Sequence, residues 1–334
     1  SSIQPPAHPR RLRAVAIGGL LALALACGSP AAAADQWQDA LFHDAHFHIS
    51  NYVQEATDAH AYVEMMGTKI GRSTFFGLPL QQLWSYANTE DFAPSYYLQT
   101  DAPLYYYSFV DAAIAMAYRS LPPEQQARLD PMITGFNPAD MYAVDHIRRV
   151  LLTFPGVFSG IGEFSVHKEF VSAKVAGEVA SLTNPALDRI FEFCAEVGLP
   201  IILHNDINMP YPKDGQEPYM LAQMKVLFER HPDCTIIWAH IGLGRIVQPL
   251  ERQAEVIEAV CTMPSLSHVM MDISWDEVAK YATRTPDTAR RTAELLNRYP
   301  DRFLFGSDCV APKSADSQLA VCEAYQPVWD QLTA

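Results

Sequence analysis

The sequence predicts an α/β chain folded as a (β/α)8 TIM barrel, with a long aromatic-rich insertion after strand two. Three observations carry that prediction. Short apolar strands alternate with longer amphipathic stretches, and eight such strands fit between Leu41 and Asp308. From the fourth strand on they recur about every 35 residues, close to the length of a βα unit. The late strands are near-continuous apolar runs, as expected for parallel strands buried on both faces. The competing architecture, an open doubly wound sheet, more often carries a glycine-rich phosphate loop after an early strand, and no such loop is present.

The first strand covers about 41–50. A helical stretch from Ala56 to Met66 leads to strand two at Ser73–Leu78, which Pro79 stops. Strand three is Pro131–Phe136, ended by Asn137 and Pro138. Residues 140–154 place Val144, Ile147, Val150 and Leu151 at helix spacing. Strand four is Gly156–Phe164. Asn184 and Pro185 open a helix that Gly198 closes. Strands five to eight are Pro200–His204, Thr235–His240, His268–Ile273 and Phe303–Asp308. Helices at about 218–229, 245–260 and 286–298 lie between them. Between strands two and three, residues 79–128 form an excursion rich in Tyr, Phe and Trp. Its 103–120 part reads as a helix. The 79–101 part reads either as a lid over one mouth of the barrel or as an aromatic patch on its exterior or on a partner subunit, which leaves an oligomer open.

The chain of 334 residues is 49% apolar, 19% charged and 11% aromatic, enough to build a sizeable core. Residues 1–34 read as a secretory signal. Arg10, Arg11 and Arg13 precede an apolar run from Ala14 to Ala26, and Ala32–Ala34 offers a cleavage site. The expected location is therefore exported, periplasmic or secreted. A lipid anchor at Cys27 is the weaker reading, because Ala24 stands where such sites usually carry Leu. Residues 35–334 form the barrel domain. Only 26 residues follow Asp308, barely a final helix, so the C-terminus is expected to be truncated. Without the three signal arginines, 21 basic residues face 38 acidic ones, a net charge of −17. That disfavours nucleic acid and anionic membrane surfaces as partners and leaves a small-molecule substrate. No segment after the signal is long and apolar enough to span a membrane. Five scattered cysteines remain, room for one disulfide but not for a disulfide framework or a thiolate metal cage.

The residues that end the strands carry the chemistry. His46 and His48 sit two apart on strand one, so their side chains share a face. Glu163 ends strand four, His204 strand five, His240 strand six and Asp308 strand eight. In a (β/α)8 barrel those ends converge on one mouth, where the active site lies. Nitrogen and oxygen donors of this kind suit zinc, and also manganese, iron or nickel. Each residue also has an ordinary reading: a solvent-facing histidine, a core histidine satisfied by backbone, a loop-holding carboxylate, a helix cap. Jointly those readings need a coincidence at five of eight strand ends. Lys168, Glu169, Asn205 and Asp206 read as loop polarity. Asp44 shares the face of His46 and would brace the site from below. Asp272 points in or out according to register. His8, His43, His60, His146, His231 and His268 read as surface or packing residues.

Together, Asp44-Ala45-His46-Phe47-His48, Leu203-His204, Ala239-His240 and Phe305-Gly306-Ser307-Asp308 resemble the amidohydrolase superfamily, in its amidohydrolase-related branch of hydrolases and decarboxylases. The resemblance covers about residues 40–310. It implies a site of one or two divalent ions, zinc foremost. His46, His48 and Asp308 would bind metal, His204 and His240 would bind metal or polarise substrate, and Asp308 would also shuttle the catalytic proton. Glu163 stands where many members carry a carboxylated lysine, and it resembles the members that bridge two ions with a glutamate. The implied reaction is attack of metal-bound hydroxide on an ester, lactone or amide carbonyl. The alternatives are non-oxidative decarboxylation of an aromatic or unsaturated carboxylate, and an exported metal-binding barrel without catalysis.

Overall fold

Alternation along the first strand sets the pattern of the fold. The computed structural model describes residues 40–53, 55–175 and 181–333, so the signal expected at 1–34 lies outside them. In β1 (Phe42–His48), Phe47 packs outward into the main hydrophobic core while Asp44, His46 and His48 are buried on the inner side. The Phe47 ring stacks on Tyr62 of the helix Ala59–Met66, with centroids 4.1 Å apart and planes 3° from parallel. The Tyr62 hydroxyl donates to Ser73 Oγ at 2.7 Å. Phe47→Ala is therefore expected to cost about 3–5 kcal/mol of stability, read as a drop in the urea midpoint with the slope unchanged.

The parallel strands that follow are β2 (Ile70–Phe76), β5 (Leu129–Ile133), β6 (Gly160–Ser165), β7 (Ile201–His204), β8 (Ile236–Trp238), β9 (Val269–Asp272), β10 (Phe303–Leu304) and β11 (Cys309–Val310). Their order in the sheet is β10-β9-β8-β7-β6-β5-β2-β1-β11. The two edge strands are consecutive pieces of one segment, 303–310. Its first half pairs with β9 and its second half with β1, and Phe305 O accepts from Ala45 N at 3.0 Å between them. The sheet thus curls back on itself as a (β/α)8 barrel. Side chains fill its interior, where Phe76, Met132, Ile202 and Ala239 form a separate apolar cluster. The larger cluster lies outside the sheet, beneath helices such as Ala143–Thr153, Pro185–Val197 and Leu221–Arg230. The Pro185–Val197 helix is bounded as its sequence implies: Asn184 Oδ1 accepts from Ala186 N at 2.9 Å, and Gly198 closes it with φ 71°.

Local differences from the sequence reading have identifiable causes. Residues 103–120 are not one helix: β4 (Leu104–Tyr106) pairs antiparallel with β3 (Leu80–Gln82), and the helix is Val110–Ser120. The hairpin fastens the insertion to the mouth. Tyr97 is buried with Tyr52, Leu78, Leu104 and Val171, and its hydroxyl donates to Glu169 Oε2. Lys174 Nζ donates to the carbonyls of Tyr97 and Thr100. Trp84, Tyr86 and Phe92 face outward instead, so the two readings of this loop divide along its length. The eighth strand is broken at 305–308, where Asp44 of β1 grips Ser307 and main-chain bonds join Ala45 N to Phe305 O and Asp308 N to His46 O. All five described cysteines are free, so the disulfide that the count allowed is not formed. Among the described residues no helix is long and apolar enough to cross a membrane.

Candidate active site

The inner face of β1 brings His46 and His48 into the barrel, fully buried. Asp44, two residues earlier on that face, braces the last strand. Its Oδ1 accepts from Ser307 N (2.8 Å) and His46 N (3.1 Å), and its Oδ2 accepts from Ser307 Oγ (2.6 Å) and Gln318 Nε2 (2.8 Å). This grip, with Asp308 N donating to His46 O at 2.8 Å, sets Asp308 beside the two histidines. Close approach is needed here, since a Cβ on Gly306 would lie 2.6 Å from the His46 backbone nitrogen. Asp308 itself takes φ 52° and His240 takes φ 56°. Two non-glycine residues in the left-handed region at one mouth are the pattern of a functional site whose surroundings impose the conformation.

Glu163 reaches the interior through an irregularity in β6. Ile161 and Phe164 both pack in the outer core although they lie three positions apart, which strict alternation forbids. The β6–β7 register shifts between them, and Gly162 carries φ 126°. A Cβ on Gly162 would come within 2.4 Å of Ile202 O, so glycine is required there. The extra residue turns Glu163 inward.

All six residues singled out from the strand ends meet in one cluster. Asp308 Oδ1 stands 3.3 Å from His46 Nε2 and 3.1 Å from His48 Nε2, and His48 Nε2 is 3.4 Å from Glu163 Oε2. The other Glu163 oxygen, Oε1, lies 2.6 Å from His204 Nδ1 and 3.4 Å from His240 Nε2. Asp308 Oδ2 is 3.8 Å from His240 Nε2.

The residues around the cluster fix which ring nitrogens face its centre. His46 Nδ1 donates to Asp272 Oδ2 at 2.6 Å, which leaves the Nε2 lone pair aimed inward. His240 Nδ1 meets Ser274 Oγ at 2.9 Å, and that hydroxyl donates onward to Asp272 Oδ2 at 2.9 Å. One carboxylate therefore orients two histidines, one directly and one through a serine. His204 lies between two carboxylates, with Nε2 3.0 Å from Asp206 Oδ1 and Nδ1 2.6 Å from Glu163 Oε1, and against burial and Lys168 their hydrogen bonds raise it. A cation bound between Nδ1 and Glu163 would take the place of the shared proton.

The charges follow from these contacts. Burial alone would raise the Glu163 carboxyl, but Lys168 and His204 outweigh it and hold it well below the usual carboxylate range. Burial likewise opposes the Asp308 carboxylate, and His240, His46 and His48 overcome it. His240 is lowered, mainly by burial, with Asp308 and Glu163 opposing the shift.

This arrangement passes a test for divalent ions. Among the described residues, His46 Nε2, His240 Nε2 and Asp308 Oδ1 are buried without a hydrogen-bond partner, an expensive state unless something binds them. Ligands held at zinc–nitrogen distances on a tetrahedron lie about 3.3 Å from one another. The contacts among His46, His48, Asp308 and Glu163 Oε2 match that spacing, and three donor groups are close enough to hold an ion: His46, His48 and Glu163; His46, His240 and Asp272; and Glu163, His204 and His240.

Four residues read from the sequence as loop polarity are in fact buried at the site. Lys168 Nζ lies 3.6 Å from Glu163 Oε2, Asp206 holds His204, Glu169 accepts from Arg245 N at 2.6 Å, and Asn205 is fully enclosed. Burial corrects that reading, because the loops leaving the barrel fold back over its mouth. Ser274, Tyr52, Trp275 and Arg245 were not singled out at all, and Tyr96 was read only as one aromatic of the insertion. A signal existed for two of the partners: Asp206 and Ser274 each lie two residues beyond an inward-facing residue. His43, His60, His146, His231 and His268 lie outside the cluster; His231 pairs with Asp188 at 2.8 Å, and His8 lies outside the described residues.

Barrel and cluster together define a TIM-barrel protein with a histidine–carboxylate centre at the C-terminal strand ends. The chain belongs to the amidohydrolase family, whose model matches residues 43–327. Among curated proteins no sequence matches it. Similar solved structures include an amidohydrolase from Burkholderia multivorans with bound zinc, at 14% identity and TM-score 0.52, covering 87% of this chain and 93% of that one. Another is a probable 2-pyrone-4,6-dicarboxylic acid hydrolase from Acinetobacter baumannii with citric acid bound, at 10% identity and TM-score 0.48, covering 86% and 92%. A third is 2,6-dihydroxybenzoate decarboxylase from Rhizobium, at 14% identity and TM-score 0.44, covering 85% and 91%. The family makes the chain an enzyme of metal-dependent type.

Proposed function

We propose that this chain is an exported metal-dependent hydrolase that cleaves an ester, lactone or amide bond of a small molecule. The observation that carries the reading is the shared carboxylate: Glu163 turns Oε2 to His48 and the Asp308 group, and Oε1 to His204 and His240. His46, His48, Asp308 and Glu163 would hold one divalent ion, and Glu163, His204 and His240 a second. Imidazole and carboxylate donors favour zinc. Bound there, such ions supply a Lewis acid that polarises a carbonyl and lowers the pKa of a water towards about 7.

The chain's own groups do the rest. Asp308 is ionised, lies between the two donor sets and lines the open cavity, so it accepts the proton of the attacking water and delivers it to the leaving atom. Asp272 and Ser274 hold the His46 and His240 rings so that Nε2 stays directed at the reacting centre. Buried Trp275, whose ring centroid lies 5.1 Å from that of His240, helps keep bulk water from one side. The basic and apolar pattern of residues 1–34 supports export to the periplasm or beyond.

The test is a panel of esters, lactones and amides offered to zinc-loaded and chelator-stripped protein. Turnover confined to the loaded form is expected. A blank panel together with CO2 release from an aromatic acid would replace hydrolysis by decarboxylation. The relay through Asp272 gives a sharper result. Asp272→Asn is expected to weaken metal binding about 10- to 100-fold, whereas Ser274→Ala should weaken only the ion held by His240. Competition with a chromophoric chelator reads both effects, and equal behaviour of the two variants would contradict the relay.

A further inference from the structure

Outside the sheet, a cavity of about 440 Å3 opens between the helices Gln253–Thr262, Asp276–Ala282 and Pro286–Arg298, and none of the six cluster residues lines it. It parts two regions of the outer core: Leu243, Ile257 and Val278 on its walls belong to the main hydrophobic cluster, and Ile273, Leu296 and Tyr325 to a smaller one. A gap of this size is foreign to a close-packed interior and falls in the range of small-molecule sites. The charged residues of its lining, Asp214, Glu251, Arg284, Asp287 and Arg291, are all exposed, and Arg291 pairs with Asp287 at 2.8 Å. One polar side chain of the wall, Gln253, is more than nine-tenths buried. Its Nε2 donates to Ile241 O at 3.4 Å, which fixes the amide orientation because a carbonyl can only accept. Its Oε1 is left buried without a partner among the described residues, a costly state unless a donor reaches it. The Tyr325 and Tyr281 hydroxyls on the same walls are already used, donating to Ile273 O at 2.7 Å and to Gly244 O at 2.8 Å. The walls also back onto the metal centre. Ile241 follows His240, and both take left-handed φ, 47° and 56°. Ile273 lies between Asp272 and Ser274, which orient His46 and His240.

We propose that this cavity is an effector site for a compact, uncharged alicyclic alcohol. The aliphatic walls bury the ring, and a rigid ring loses little freedom on binding. No buried charge is present in the lining to pair with an ionic ligand. The hydroxyl donates to Gln253 Oε1 and meets the one acceptor that the fold leaves open there. Packed against Ile241 and Ile273, the ligand supports the backbone that presents His240, so occupancy tightens the ion held by Glu163, His204 and His240. The binding of the alcohol stands apart from the hydrolase reading, whereas its effect on zinc rests on the second ion of that reading.

The experiment is titration calorimetry of the zinc-loaded full chain with 4-tert-butylcyclohexanol and with 4-tert-butylcyclohexanone, which keeps the shape but has no donor. The alcohol is expected to bind about tenfold tighter than the ketone. Gln253→Leu should remove that difference by weakening the alcohol alone. Ala254→Phe, which fills the cavity from a half-buried position on its wall, should abolish binding of both and keeps the test open if Gln253→Leu fails to fold. Equal affinity for alcohol and ketone in the unmodified chain would overturn the inference, and so would undiminished binding in Ala254→Phe, since the alcohol would then sit elsewhere. Competition with a chromophoric chelator, run with and without saturating alcohol, reads the coupling. About fivefold tighter binding of one zinc ion is expected, and identical curves would overturn the effector role. If the alcohol binds as expected while the chain takes up no zinc, the metal-dependent hydrolase reading falls and the cavity site stands.

Discussion

Asp308→Asn is expected to lower turnover by about two to four orders of magnitude, the usual contribution of a positioned general base, under saturating metal. Asparagine keeps an oxygen where Oδ1 faces His46 and His48, so an ion can still be held, but it cannot take up a proton. The charge is the relevant quantity: burial opposes the carboxylate, and three histidines hold it ionised. The substitution leaves its neighbours in place, because the main-chain bond from Asp308 N to His46 O and the Asp44 grip on Ser307 do not involve the side chain. The measurement is kcat together with metal content by elemental analysis. Full turnover with metal retained would remove Asp308 from its role; loss of both would make it a ligand only.

Glu163→Gln carries the second large effect, on both metal and stability. Glu163 touches His48, His204, His240 and Lys168. Removing its charge leaves Lys168 as a buried ammonium without a counter-ion, and breaking a buried pair in this way costs about 3–5 kcal/mol. It also removes the group that both donor sets share, so bound metal should fall to one ion per chain or fewer. The double variant Glu163→Gln/Lys168→Met separates the two consequences. It is expected to regain most of the stability, since no unpaired charge remains, and none of the lost metal. Recovery of metal in the double variant would mean that Lys168 merely blocked the site.

Much of the cluster was legible in the sequence because barrel geometry converts strand-end identity into proximity. The two-residue spacing of His46 and His48 sufficed for one face, and His204, His240 and Asp308 followed from where apolar runs stop. Four features were not legible. Glu163 was named as a strand end, but the cause of its inward turn, an extra residue in β6, was hidden; simple alternation from Ile161 would have turned it out. Asp272 could be placed only once the register of β9 was known, and its bond to His46 then shows it on the inner side. Lys168, Glu169, Asn205 and Asp206 looked like loop polarity because burial of a loop depends on what folds over it. Here that covering includes the Tyr97 region, anchored by Lys174, which lies some 70 residues away in sequence. The break in strand eight is likewise a tertiary effect, imposed by Asp44 and permitted by Gly306.

The central claim is that Glu163 joins two donor sets into one binuclear site. Elemental analysis of the full chain, reconstituted with excess zinc and freed of loosely bound ions, tests it most directly. Two zinc ions per chain are predicted for the unmodified protein. One ion or none at saturation would contradict the shared-carboxylate site.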